Sequence, residues 1–270
     1  MICPRCQSVV QPNITKCPSC KLWLLDNVGA DTSPKEAVDD EEDKSVPLSS
    51  KNRQPPKPRL NVGWLNPLFG GGIVTTSTCM LGGSPGAGKS TLVQQMWRML
   101  LEQYPDRKVV AASAEECREE GEARAIRLGL PQSVMDRIMV VDAMAGNYNL
   151  VGAIAKHKPI LVTIDSLQKY CGRHAFQAQE QLLADCKQLA VQYGCPVVVI
   201  SQVNKDDDIA GSNANQHETD ANFVLTKDEN DIRYFDILKN RNGPTDLVLR
   251  MEMTPTGLKP LPDEPEDEDT

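Results

Sequence analysis

The stretch Gly83-Ser84-Pro85-Gly86-Ala87-Gly88-Lys89-Ser90 fits GxxxxGK[ST], a spacing suited to holding phosphates. Its glycines let successive backbone N–H groups turn inward, and a helix opening at Lys89 would aim its first amides at the same anion. Gly83 to Thr91 is therefore the candidate ATP-binding stretch, with Lys89 reaching the β- and γ-phosphates and Ser90 ligating Mg²⁺. The metal needs a second acid. Pro159-Ile-Leu-Val-Thr-Ile-Asp165-Ser166 is an apolar run ending in one, so Asp165 is expected beside Ser90 at a strand's C-terminal edge. Hydrolysis also needs a group that polarises water. Ala114-Glu115-Glu116 ends another apolar run, which makes Glu115 the candidate base and Glu116 its alternate. The competing reading makes both of them N-terminal acids of the next helix, favoured by its dipole. Gln202 ends a third run, where it can hydrogen-bond the γ-phosphate and report its loss to the following loop; the plainer reading is a solvated loop residue.

A second chemistry stands at the N-terminus. Cys3-Pro-Arg-Cys6 and Cys17-Pro-Ser-Cys20 are two CxxC knuckles, the four-thiolate pattern of a zinc ribbon. So short a module has almost no core, so bound Zn²⁺ would have to supply its folding energy. A redox CxxC pair is the rival reading, and it lacks the βαβ surroundings such a motif uses. The other five of the nine cysteines are scattered and read as small hydrophobes.

These groups need elements to hold them. Apolar runs predict strands over 76–81, 108–113, 137–141, 159–164 and 196–200, alternating with helical patterns over 89–103, 118–128, 150–156 and 177–193. Three later runs, 223–227, 232–238 and 246–253, read as short antiparallel strands. The expected fold class is α/β, a mostly parallel sheet covered on both faces with a C-terminal antiparallel extension. Composition divides the chain into a cysteine module (1–25), an acidic, proline-rich linker (26–58), the α/β domain (59–259) and an acidic tail (260–270).

The 270 residues carry a net charge of -8, but this average misleads. Asp31 to Lys44 holds seven acids and two lysines, and Pro262 to Thr270 holds six acids and no base. Without those segments 24 acids face 27 bases, a body compatible with a polyanion. Aromatics are only 4%, too few for a base-stacking surface, so any nucleic acid would be held through its phosphates. No run approaches the ~18 apolar residues of a membrane span. The segment from Met1 to Gln7 lacks a signal-peptide pattern, so a cytoplasmic protein is expected.

These parts, in this order, resemble the RadA/Sms family of bacterial RecA-type recombination ATPases over about residues 1–259. Cys17-Pro-Ser-Cys20-Lys-Leu-Trp23 is similar to the family's CPxCxxW, and Gly70 to Val74 to its GGGxV segment. Ala114 to Cys117 matches its GEES in part, and Asp165-Ser166-Leu167-Gln168 its DSxQ. Ile209-Ala210-Gly211 and His217-Glu-Thr-Asp220 echo its IAG and HxVD, and Lys239-Asn240-Arg241-Asn242-Gly243 stands where it has KNRFG. Three departures stand out. Asn242 replaces Phe, closer to DnaB-type helicases; Gln202 stands where RadA usually has His; and a compact form is expected, without the family's following Lon-protease-like domain, which contributes to ring assembly and DNA binding.

The resemblance implies a RecA-like core preceded by a zinc ribbon and assembled as a homo-hexamer with ATP between subunits. Lys239 and Arg241 would act on the γ-phosphate of the neighbouring subunit; the bland reading is a turn with solvated bases. Loops 168–177 and 203–216 would face the ring channel, with Lys169, Arg173 and Lys205 touching single-stranded or branched DNA, or serving as ordinary surface charges. The implied activity is ATP hydrolysis driving strand migration or helicase action in recombination, repair or replication. A replicative DnaB-like helicase and a non-motor, nucleotide-gated adaptor docking partner proteins through its acidic tail are the alternatives.

Overall fold

In a computed structural model of the chain, residues 8–10, 17–18, 57–146, 149–172, 175–202 and 217–262 are described. The chain divides into two units, Met1–Pro58 and Arg59–Thr270. In the first, Val10 and Cys17 are buried and Val9 is exposed. Cys3, Cys6 and Cys20 lie outside the described residues, as do most of the linker and most of the acidic tail.

The second unit opens with β1 (Arg59–Leu60) and β2 (Ile73–Val74), paired antiparallel around a short 3-10 turn at Gly63–Leu65. There follow β3 (Thr78–Gly83), α1 (Lys89–Gln103), β4 (Val109–Ser113), α2 (Arg118–Arg127), α3 (Gln132–Met135) and β5 (Ile138–Asp142). Next come α4 (Leu150–His157), β6 (Leu161–Asp165), α5 (Leu167–Cys171), α6 (Phe176–Tyr193) and β7 (Val197–Ile200). The described part closes with β8 (Ala221–Lys227), β9 (Ile232–Asn240), β10 (Val248–Thr254) and β11 (Gly257–Pro260). Among the described residues, β3 to β11 form one nine-stranded sheet in the order β11-β10-β9-β8-β3-β7-β6-β4-β5. Pairs from β8 across to β5 are parallel, and β8 through β11 pair antiparallel.

The interior strands β3, β6 and β7 are mostly apolar and, Asp165 apart, buried along their length, as a parallel sheet covered on both faces requires. Leu92, Met96 and Leu100 make the buried stripe of α1, and they share one core with Cys79, Leu81, Val198, Ile200, Phe223 and Leu225. Phe223 bridges Phe69 and Phe235 within it, with ring centroids 4.7 and 5.2 Å apart. α6 buries Leu182, Cys186 and Leu189 and packs on β3 and β7, whose Met80 and Val199 alternate to that side.

The expectation of three antiparallel late strands needs correcting in one place. β8 pairs parallel with β3 on one side and antiparallel with β9 on the other. Its first five residues are all buried, the mark of a strand inside the parallel layer, whereas β9 alternates. The segment expected as loop 168–177 instead includes most of α5 and the start of α6.

Two ties hold the ends of this unit. Arg59 donates from Nη1 to the carbonyls of Phe69 and Gly72 at 2.7 and 3.0 Å, and from Nη2 to Asn242 O at 2.6 Å. Gly70 has φ +65°, and a Cβ there would lie 2.7 Å from Gly243 Cα, so the glycine triplet and the 239–243 turn meet backbone to backbone. At the other end, Gln95 of α1 mimics a strand. Its Oε1 accepts from Leu258 N and its Nε2 donates to Leu258 O, both at 2.9 Å. Gln95→Ala leaves both backbone groups of β11 without those partners. We expect a loss of about 1–3 kcal/mol in a denaturant melt. An unchanged midpoint would show that water replaces the amide freely.

Candidate active site

At the C-terminal edge of β3 the chain turns through Ser84–Gly88 into α1. Gly88, the N-cap, has φ +109°, and no side chain caps the helix. The first-turn amides of α1 are thus left for a ligand, the arrangement that suits a phosphate. Ala87 N–H closes the loop on Ser84 O at 3.2 Å.

Lys89 is buried, and its Nζ donates to the carbonyls of Gly83 at 2.6 Å and Ser84 at 2.9 Å. Burial lowers its pKa, while the charges of Asp165 and Glu115 pull it back up. Ser90 Oγ donates to Asp165 Oδ2 at 2.6 Å, which places both expected metal ligands in contact. Burial pushes the Asp165 carboxyl up to about 6; the Ser90 hydroxyl opposes this, Glu115 and Glu116 add to it, and Lys89 opposes it. Ser166 Oγ beside it is fully buried without a hydrogen-bond partner. A desolvated cation and a desolvated carboxyl thus share one crevice. Mg²⁺ with a polyphosphate fits both: the metal on Ser90 and Asp165, the phosphates on Lys89 and the loop amides.

The two candidate bases have different surroundings. Glu116 is held by Arg124 in a two-pronged pair at 2.6 and 2.5 Å, and its backbone carbonyl accepts from Ser113 Oγ at 2.6 Å. Glu115 is exposed, and among the described residues it has neither hydrogen bond nor ion pair. Neither is a first-turn acid of α2. Glu119 and Glu120 fill that place, and Glu120 Oε2 accepts from Cys117 N at 3.0 Å.

Gln202 follows β7 and Ser201, whose N–H donates to Leu81 O at 2.9 Å, so it sits beside the exit of β3. The residue that holds it is the last of the stretch Asp165–Gln168. Gln168, 5% exposed, donates from Nε2 to Ser201 Oγ at 2.8 Å and accepts on Oε1 from Gln202 N–H at 3.2 Å. The turn after Asp165 and the turn bearing Gln202 are thereby tied together. A polar residue just past a buried strand was the one signal of it.

Lys239 and Arg241 lie elsewhere. β9 runs antiparallel, with Asn240 opposite Ala221 and Ala221 opposite Cys79, near the start of β3. The P-loop leaves from the other end, four residues or roughly 13 Å along the strand. The structure therefore brings Lys89, Ser90, Asp165, Glu115 and Gln202 to one edge of the sheet and places Lys239 and Arg241 at the opposite edge. Lys169 is exposed on α5, a helix rather than the expected loop; Arg173 and Lys205 lie outside the described residues. Of the proposed zinc ligands only Cys17 is described, and no group of three or more metal-ligating side chains occurs among the described residues. No helix among those residues is long and apolar enough to cross a membrane.

Comparison with known proteins agrees with this geometry. A family model described as "AAA domain" matches residues 49–208, more than half of the chain. The DNA repair protein RadA of Brucella abortus (strain 2308) is 31% identical over 96% of this chain, and that of Bacillus subtilis (strain 168) 26% over 95%. The chain spans 58% of the length of each. A crystal structure of the KaiC-like protein PH0186 from Pyrococcus horikoshii OT3 superposes on 77% of this chain and 100% of its own, with a TM-score of 0.66 at 19% identity, which shows a shared RecA-like α/β P-loop fold. The chain therefore belongs to the AAA domain family, and across nearly its whole length it is similar to the DNA repair protein RadA.

Proposed function

We propose that the protein is a Mg²⁺-dependent ATPase of the cytoplasm that works as a hexameric, DNA-stimulated motor in recombination, repair or replication. The observation that carries this reading is the separation of its phosphate chemistry between the two edges of the sheet. Lys89, Ser90 and Asp165 hold Mg·ATP at one edge, and Glu115 orients the attacking water. Glu116, neutralised by Arg124, is spared from that role. Lys239 and Arg241 are beyond reach of their own P-loop and stabilise charge on the γ-phosphate bound by a neighbouring subunit. Hydrolysis then depends on assembly. Gln202 senses the γ-phosphate and passes its loss to residues 203–216, which with Lys169, Arg173 and Lys205 contact the phosphates of single-stranded or branched DNA. ATP turnover with and without single-stranded DNA, read beside the mass of the ATP-bound assembly, tests this. Turnover should rise with DNA and follow a six-membered particle. An active monomer indifferent to DNA would refute it.

Cys3, Cys6, Cys17 and Cys20 bind one Zn²⁺ in this reading and fold residues 1–25 alone, while the acidic tail docks a partner protein. Metal analysis of protein purified without chelator should find one zinc per chain, lost on Cys17→Ser with Cys20→Ser. A chelator should leave the melting transition of the larger unit in place. Zinc-free protein, or a larger unit that melts on chelation, would remove the ribbon.

A further inference from the structure

The sheet edge opposite the P-loop holds a carboxylate shared by several elements. Asp220 immediately precedes β8, and its side chain is only 14% exposed. Oδ2 accepts from the backbone N–H of Thr78 at 3.1 Å, and Oδ1 from Lys187 Nζ of α6 at 3.2 Å. Arg241 Nη1 stands 3.5 Å from the same Oδ1, with its side chain 51% exposed. The main chain is fixed as well: Asp220 N–H donates to Thr78 O at 2.8 Å, and Arg241 N–H donates to Asp220 O at 2.9 Å. One residue before, Thr219 O accepts from Lys239 Nζ at 2.7 Å, and His217 O lies 3.3 Å from the same donor. Three cations thus gather about one largely buried carboxylate.

The contacts differ in grade. Those that fix the backbone of residue 241 are short, while the ion pair to its guanidinium is the longest and most exposed. If Arg241 swings away, Asp220 keeps Thr78 N–H and Lys187 and is not orphaned. If Asp220 loses its charge, Lys187, Lys239 and Arg241 repel one another with that carboxylate gone. We propose that Asp220 is a positioning residue for Arg241: it holds the guanidinium at the sheet edge, half in solvent, and releases it at small cost to the phosphate bound by a neighbouring copy. This rests on the trans role proposed above. It also joins the end of segment 203–216 to the residue acting in the next site, since Lys239 and Arg241 are both held by the 217–220 turn.

Asp220→Asn keeps the size and an acceptor for Thr78 N–H but removes the charge. In otherwise unchanged chains kcat for ATP should fall on the order of 10-fold, with KM little changed. In chains that also carry Arg241→Ala the same substitution should cost no further turnover. Equal losses in both backgrounds would mean a merely structural role, and no loss in either would also overturn the proposal. Asp220→Glu, which keeps the charge and moves it by one methylene, decides the matter if the Asn variant does not fold. A smaller loss confined to chains with Arg241 supports positioning; a loss blind to Arg241 refutes it. Failure of the trans role itself is seen separately, as no recovery of turnover when Arg241→Ala and Lys89→Ala chains are mixed.

Discussion

Lys89→Ala should lower ATP turnover at least about 100-fold, while the melting temperature of the larger unit stays close to that of the unchanged chain. The lysine is buried at the first position of α1, and among the described residues its ammonium hydrogen-bonds only the carbonyls of Gly83 and Ser84. Those bonds are internal to a loop whose shape its glycines and the N-terminus of α1 already dictate. None of the α1 stripe of Leu92, Met96 and Leu100 depends on them. What alanine removes is the ammonium that meets the phosphates in the proposed function, in a crevice dry enough to lift Asp165 to about 6. Phosphate release at saturating Mg·ATP measures the effect. Hydrolysis at the level of the unchanged chain would remove the assignment of the loop.

Arg241→Ala should lower turnover by about 10³-fold or more, with nucleotide binding to an isolated subunit nearly unchanged. The reason is placement. Arg241 is tied to Asp220, itself bonded to Thr78, at the far edge of the sheet, so its own P-loop does not feel its loss. Mixing Arg241→Ala with Lys89→Ala chains should then restore part of the activity, because some interfaces pair an intact P-loop with an intact arginine. A mixture no more active than its two components would count against the trans role, since an arginine acting within its own subunit has no way to be complemented.

Much of this site is legible in the sequence. GxxxxGK[ST] after an apolar strand places Lys89 and Ser90, because the motif and its strand–loop–helix setting are local in sequence. Asp165 at the end of a buried apolar run follows from the rule that parallel strands present their C-terminal ends to the ligand. The different surroundings of Glu115 and Glu116 were not legible, because the partner that neutralises Glu116 is Arg124, eight residues on and across the start of a helix. The same holds for Gln168, whose meaning comes from Ser201 and Gln202, more than 30 residues away.

Local pattern thus settled the class of fold, the glycine loop and the strand-end acid that meets Ser90, since periodicity and glycine spacing act over a few residues. Which edge each residue occupies was settled by packing across the sheet. β8 slots in parallel between β3 and the antiparallel end because its first five residues are buried, and this turns β9 so that Lys239 and Arg241 finish at the start of β3. The clasp of Arg59, Gly70 and the 239–243 turn spans more than 170 residues. Asp220 gains its significance from Thr78, Lys187 and Arg241, which only a folded sheet brings within 3.5 Å. A side chain's neighbours across strands depend on register and strand order, and neither is written in the spacing of residues along the chain.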